Sequence, residues 1–223
     1  MKPTLGLLVI MSLSLFSTAQ IKVSVDKKYL VKKDGRPFFW LGDTAWELFH
    51  RLSREEAKKY LQNRAVKGFT VIQAVVLAEL DGLNTPNFYG DKPLMDNDPA
   101  RPNEAYFKHV DFILNEADRL GLIIALLPTW GDKWFKDSWG MGPEIFTPEN
   151  AKKFGTWIAR RYINKNIVWV LGGDRIPKNE NHYAIIRAMA ESIDAADNNR
   201  LLLTYHPGGG ASSYEFFADD KWI

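Results

Sequence analysis

The chain has 223 residues, 46% apolar and 25% charged, with a net charge of +2. That balance fits one ordinary globular domain and excludes the basic stripe that nucleic-acid backbones select, so no nucleic-acid partner is expected. There is no cysteine, which rules out a disulfide framework and a lipid-anchored cysteine and leaves stability to the core.

Met1-Lys2, the apolar run over residues 5–16 and then Ser17-Thr18-Ala19-Gln20 read as a signal peptide, residues 1–19. The run is too short to span a bilayer. The expectation is a periplasmic or secreted chain with no membrane span after cleavage; an uncleaved anchor is the alternative. Residues 20–37 form a β extension: Asp34-Gly35 between two apolar runs is a hairpin signal. Residues 38–223 then repeat one unit. Residues 38–41 read as a solidly apolar strand ending at Gly42-Asp43-Thr44-Ala45-Trp46. Ser53-Arg54-Glu55-Glu56 is a capping box, and Ala57, Tyr60, Leu61 and Ala65 line one face of a helix that stops before Gly68.

Strands follow over residues 70–76, 123–127, 167–171 and 201–205, with helices over 104–120, from Thr147-Pro148-Glu149 onward, and over about 180–197. Trp222-Ile223 reads as the opening of a sixth strand. The helix-to-strand turns are tiny, whereas the strand-to-helix loops are long, over 77–103 and 128–146. Long loops gathered at the carboxyl ends of parallel strands are what a (β/α)₈ TIM-barrel enzyme shows. A doubly wound sheet is the alternative, but no G-x-G-x-x-G or Walker loop follows any strand. The expected fold is therefore an α/β, incomplete (β/α)₈ barrel, about strands one to five and the start of six, behind a short N-terminal β-hairpin.

The strand ends on that face carry Asp43, Thr44 and Trp46; Glu79 and Asp81; Thr129, Trp130 and Asp132; Asp174 and Arg175; and His206. Two glycines release Asp174 from an apolar strand, which makes it the leading catalytic candidate; its other reading is a loop cap or an ion pair with Arg175. Asp43 either binds substrate or holds its turn by hydrogen bonds. Trp46 and Trp130 either stack a sugar ring or cap the barrel mouth. His206 is a site residue or a loop histidine, and Glu79 and Asp81 are site residues or solvated loop acids. The four histidines have no metal-binding spacing and no G-x-S-x-G elbow is present, so no metal or other cofactor is expected.

The runs Phe39-Trp40-Leu41-Gly42-Asp43-Thr44-Ala45-Trp46, Lys67-Gly68-Phe69-Thr70-Val71-Ile72-Gln73, Pro128-Thr129-Trp130-Gly131, Trp169-Val170-Leu171-Gly172-Gly173-Asp174 and Tyr205-His206-Pro207 together resemble the apiosidase-like catalytic domain of glycoside hydrolase family 140. The resemblance runs from Tyr29 to the end. It implies a (β/α)₈ barrel that cleaves apiose-containing side chains of rhamnogalacturonan II by a retaining mechanism, a saccharide as partner, and Asp174 as acid/base. It also implies a nucleophilic glutamate at the end of a late strand, which no residue here matches. The expectation is thus an N-terminal part of a longer protein, since strands six to eight need roughly another 100 residues. Asp43, Thr44, Trp46, Trp130 and His206 are the expected substrate-binding residues. The alternative is an inactive fragment or a carbohydrate-binding barrel. Oligomeric state has no sequence signal.

Overall fold

A computed structural model describes residues 21–198 and 200–223; the expected signal peptide lies outside the described residues. Strands β1 (Ile21–Val23) and β2 (Leu30–Lys32) pair antiparallel. The hydroxyl of Ser24 accepts the backbone N–H groups of Lys28 and Tyr29, each at 3.1 Å, and closes the turn between them. Asp34-Gly35 does reverse the chain, with Gly35 at φ 85°, but the return arm adds only one bridge, Val31 to Pro37.

The first barrel strand departs from expectation. Residues 38–41 are not a strand; β3 is the polar triplet Gly42–Thr44, and Phe39 is 75% exposed. Thr70 explains the shift: its hydroxyl donates to Phe39 O (2.8 Å) and accepts the Leu41 N–H (2.9 Å), standing in for ladder bonds. Phe38 and Trp40 turn inward instead and pack with Leu30 and Ile21.

After the short helix α1 (Leu48–Arg51), which has no counterpart in the sequence reading, α2 (Arg54–Val66) starts at Ser53 with both capping-box bonds formed. Then come β4 (Val71–Leu77), α3 (Glu104–Arg119), β5 (Ile123–Thr129), α4 (Pro148–Tyr162), β6 (Ile167–Gly172), α5 (Glu180–Asp197), β7 (Leu203–His206) and α6 (Tyr214–Phe217). Thr147 and Asn150 form a second reciprocal cap at α4, and Asn198 ends α5 in the left-handed conformation. Trp222 and Ile223 open no strand: Trp222 is buried against Phe217, ring centroids 5.0 Å apart.

The barrel sheet runs β3-β4-β5-β6-β7, parallel at every junction. Strictly sequential order has no switch point, which removes the doubly wound alternative and leaves five neighbouring strands of a (β/α)-barrel wall. Pleat alternation gives the wall two faces. Ile72, Ala74, Ile124, Leu126, Trp169 and Leu171 join the core under the helices. Val71, Val75, Ala125, Leu127, Val168 and Val170 face inward, where the hairpin and Trp46 and Trp130 cover them. Among the described residues no helix is long and apolar enough to cross a membrane.

Candidate active site

The chain leaves β6 through three successive residues with positive φ: Gly172 (102°), Gly173 (81°) and Asp174 (58°). A non-glycine residue held there costs on the order of 1 kcal/mol or more, somewhat less for aspartate. The surroundings hold the turn in place. Trp134 Nε1 donates to Gly172 O at 3.0 Å, the Gly131 N–H to Gly173 O at 3.1 Å, and Arg175 to Asp174 O at 3.1 Å. Glycine is required at the first position, because a Cβ on Gly172 would collide with the carbonyl oxygen of His206.

This turn lifts the Asp174 carboxylate clear of the sheet. Its Oδ1 lies 2.9 Å from His206 Nε2, and its side chain remains 41% exposed. His206 ends β7 and is flanked by Trp46 and Trp130, at 5.5 and 6.1 Å between ring centroids, while the two indoles lie 5.1 Å apart. Four sequence candidates from three separate loops and one strand end therefore meet: Asp174, His206, Trp46 and Trp130. Thr44 pairs in register with Gln73 and so lies on the inner face, exposed at its mouth.

Asp43 does not join them. It pairs in register with Ile72, whose side chain is in the core under the helices, so its carboxylate faces α2. There it accepts the Tyr60 hydroxyl at 2.9 Å and pairs with Arg64. Burial pushes its pKa up, but the hydrogen bonds from Arg64 and Tyr60 outweigh that and hold it below the usual carboxylate value. The substrate-binding role expected of Asp43 is thus replaced by its other reading, a clamp between strand and helix.

Asp132 is also structural. It is 1% exposed and accepts the N–H groups of Met141 (3.0 Å) and Gly142 (2.9 Å), with Lys133 Nζ 2.9 Å away. Lys133 also donates to Leu80 O at 3.1 Å, so the buried pair pins the two long loops together. Asp81 caps a turn through Asn84 and Thr85, and buried Thr129 donates to Trp130 O. Arg175 donates to the carbonyl oxygen of Asp174 and not to its carboxylate. It is buried, and its other donors go to Phe135 O (2.7 Å) and Lys136 O (3.0 Å).

Glu79 stays with the site. Burial first, then the neighbouring carboxylates of Glu47, Asp174 and Asp132, raise its pKa. Glu47 escaped the sequence reading, although it directly follows Trp46; its Oε2 accepts from His50 Nδ1 at 2.7 Å, which raises the pKa of that histidine. Trp134 and Trp139 escaped it too, because they sit inside a long loop with no periodic pattern. Among the described residues no group of three or more histidines or carboxylates is placed to hold a metal ion. What the site offers is one partly exposed carboxylate with an imidazole nitrogen 2.9 Å from it, beside Trp46 and, behind it, the buried Trp130. That suits proton transfer to and from a bound polar substrate.

The family described as "Apiosidase-like, catalytic domain" matches residues 24–223. Among solved structures, a glycoside hydrolase family 5 protein from Bacteroides vulgatus is similar with a TM-score of 0.80 and 30% identity, over 92% of this chain and 43% of that one. Another, described as a glycoside hydrolase, is similar with a TM-score of 0.80 and 31% identity, over 93% and 45% of the two chains. An endo-1,4-β-mannanase from Rhizomucor miehei shares the fold alone, at 16% identity and a TM-score of 0.56, over 90% and 65%. No curated protein matches. The chain spans less than half the length of the first two solved proteins. With its strands in barrel order and a family match from residue 24 to residue 223, the chain belongs to the apiosidase-like catalytic-domain family.

Proposed function

We propose that this chain carries the acid/base side of an exported, retaining glycoside hydrolase of family 140 type, acting on apiose-containing or related side chains of plant pectic polysaccharides. The observation that carries the reading is the Asp174 carboxylate at the carboxyl end of β6, held by His206 beside Trp46 and Trp130. Similarity to solved glycoside hydrolases at 30% and 31% identity supports the reaction class, and the family match supports the sugar.

In the proposed reaction the protonated Asp174 gives its proton to the glycosidic oxygen as the bond from that oxygen to the anomeric carbon breaks. The resulting carboxylate then takes a proton from the water that hydrolyses the glycosyl-enzyme. His206 Nε2, facing Oδ1, holds the carboxylate in one orientation and leaves Oδ2 for the substrate. Thr44 and Trp46 line the sugar pocket, and the buried Trp130 backs Trp46. The nucleophile, which the resemblance expects as a glutamate on a later strand, is assigned to no residue of this chain.

The test is release of free apiose from rhamnogalacturonan II oligosaccharides by the parent protein and by its Asp174→Asn variant. Loss of release with an unchanged circular dichroism spectrum supports the assignment. Equal release by the two proteins overturns it.

A further inference from the structure

A cleft opens beside Asp174. It is about 280 Å³ in volume and lined by Asp137, Trp139, Asp174, Lys178, Gly208 and Gly209. Small-molecule clefts run from about 300 Å³ upward, so this one has the size for a single ring.

Trp139 is the unusual element. An indole buries well, yet this one is 55% exposed. It is nevertheless held firmly, because the guanidinium carbon of buried Arg175 lies 3.5 Å from its ring centroid. The same guanidinium donates to Asp174 O and to the carbonyls of Phe135 and Lys136 on either side of the loop start. One cation thus fixes the indole relative to the backbone of the carboxylate. More than half of Trp139 remains exposed, and it lines the cleft. At the two glycines the rim is low: a Cβ on Gly209 would meet nothing within 4 Å, and one on Gly208 would make only ordinary contacts with Ile176 and the Asp174 carbonyl oxygen. Asp137 and the exposed Lys178 put an acceptor and a donor at the edge, the complement of a ring of hydroxyls.

We infer that this cleft is the subsite for the sugar ring of the leaving group, with Trp139 as its stacking platform. The inference rests on the proposed role of Asp174. A general acid must reach the glycosidic oxygen, so the two sugars joined there lie on either side of it. Trp46 and His206 belong to one set of residues around Asp174, and the Trp139 cleft, which Asp174 also lines, is built from another.

The experiment compares kcat/KM on two substrates, 4-nitrophenyl apioside and an apiosyl oligosaccharide from rhamnogalacturonan II, in the parent protein, Trp139→Ala and Trp139→Phe. The same oligosaccharide is titrated into all three proteins by calorimetry. In Trp139→Ala the ratio of oligosaccharide to aryl-glycoside kcat/KM falls about threefold to tenfold, the usual worth of an aromatic contact, and Trp139→Phe restores most of it. Equal losses on both substrates, or none on either, overturn the subsite. If the parent hydrolyses neither substrate, the hydrolase reading fails, and calorimetry still decides the cleft: weaker binding in Trp139→Ala supports it, unchanged binding overturns it.

Discussion

Gly42-Asp43 and Gly173-Asp174 carry the same local signal, an apolar run closed by glycine and aspartate, and they end on opposite sides of the sheet. Asp43 is still inside its strand, so the pleat decides its direction, and register with Ile72 turns it outward to Tyr60 and Arg64. Asp174 lies two residues past the last pleated position, and three positive φ values release it from the alternation and swing it to His206. A carboxylate at a strand end becomes available for chemistry when the backbone has left the strand before reaching it.

The largest expected effect comes from the released carboxylate. Asp174→Asn removes the proposed proton donor while keeping a side chain that tolerates left-handed backbone, and kcat falls by about 10²–10⁴. Turnover kinetics on an apiosyl substrate read this directly, and parity with the parent would erase the distinction between the two aspartates. Next comes the hinge itself. Gly172→Ala places a methyl group against the His206 carbonyl oxygen at a φ of 102° and costs at least about 2 kcal/mol, seen as a lower urea midpoint.

Removing the imidazole alone has a smaller consequence. His206→Ala takes away the imidazole 2.9 Å from the Asp174 carboxylate and lowers kcat about tenfold, with the fold intact by circular dichroism. Asp43→Asn is the mildest, and it acts on stability alone. Asp43 is more acidic folded than unfolded, so its ionised form stabilises the fold above the ordinary aspartate pKa of about 3.9. That contribution fades as pH falls through the lower folded value. Accordingly the variant has a lower urea midpoint than the parent at neutral pH, and the gap closes in strong acid. A loss of kcat in this variant at neutral pH would return Asp43 to the site.

Much of the wall was readable because its signals are local. Ser53 and Thr147 cap their helices through side chains that reach only three residues ahead, and Gly68 and Gly121 mark where the chain turns back. The unequal loops marked the carboxyl-terminal end of the strands for the same reason. Strand one was misread because an apolar run cannot distinguish a strand from a segment whose backbone bonds are taken by a distant hydroxyl, here that of Thr70. Trp222 and Ile223 were misread because Phe217, which buries Trp222, arrives through the packing of α6 and not through the sequence beside them.

The site divides along the same line. The sequence by itself determined the alternation of strands and helices, the end where the long loops gather, and the glycines that free Asp174, since propensity, capping and loop length act within a few residues. Tertiary structure alone decided which way Asp43 faces, that Arg175 braces Trp139 and the Asp174 carbonyl, and that His206 meets the Asp174 carboxylate. The physical reason is that pleat direction and cross-loop contacts depend on strand register, and register is settled between segments thirty or more residues apart, as with Tyr205 and Arg175.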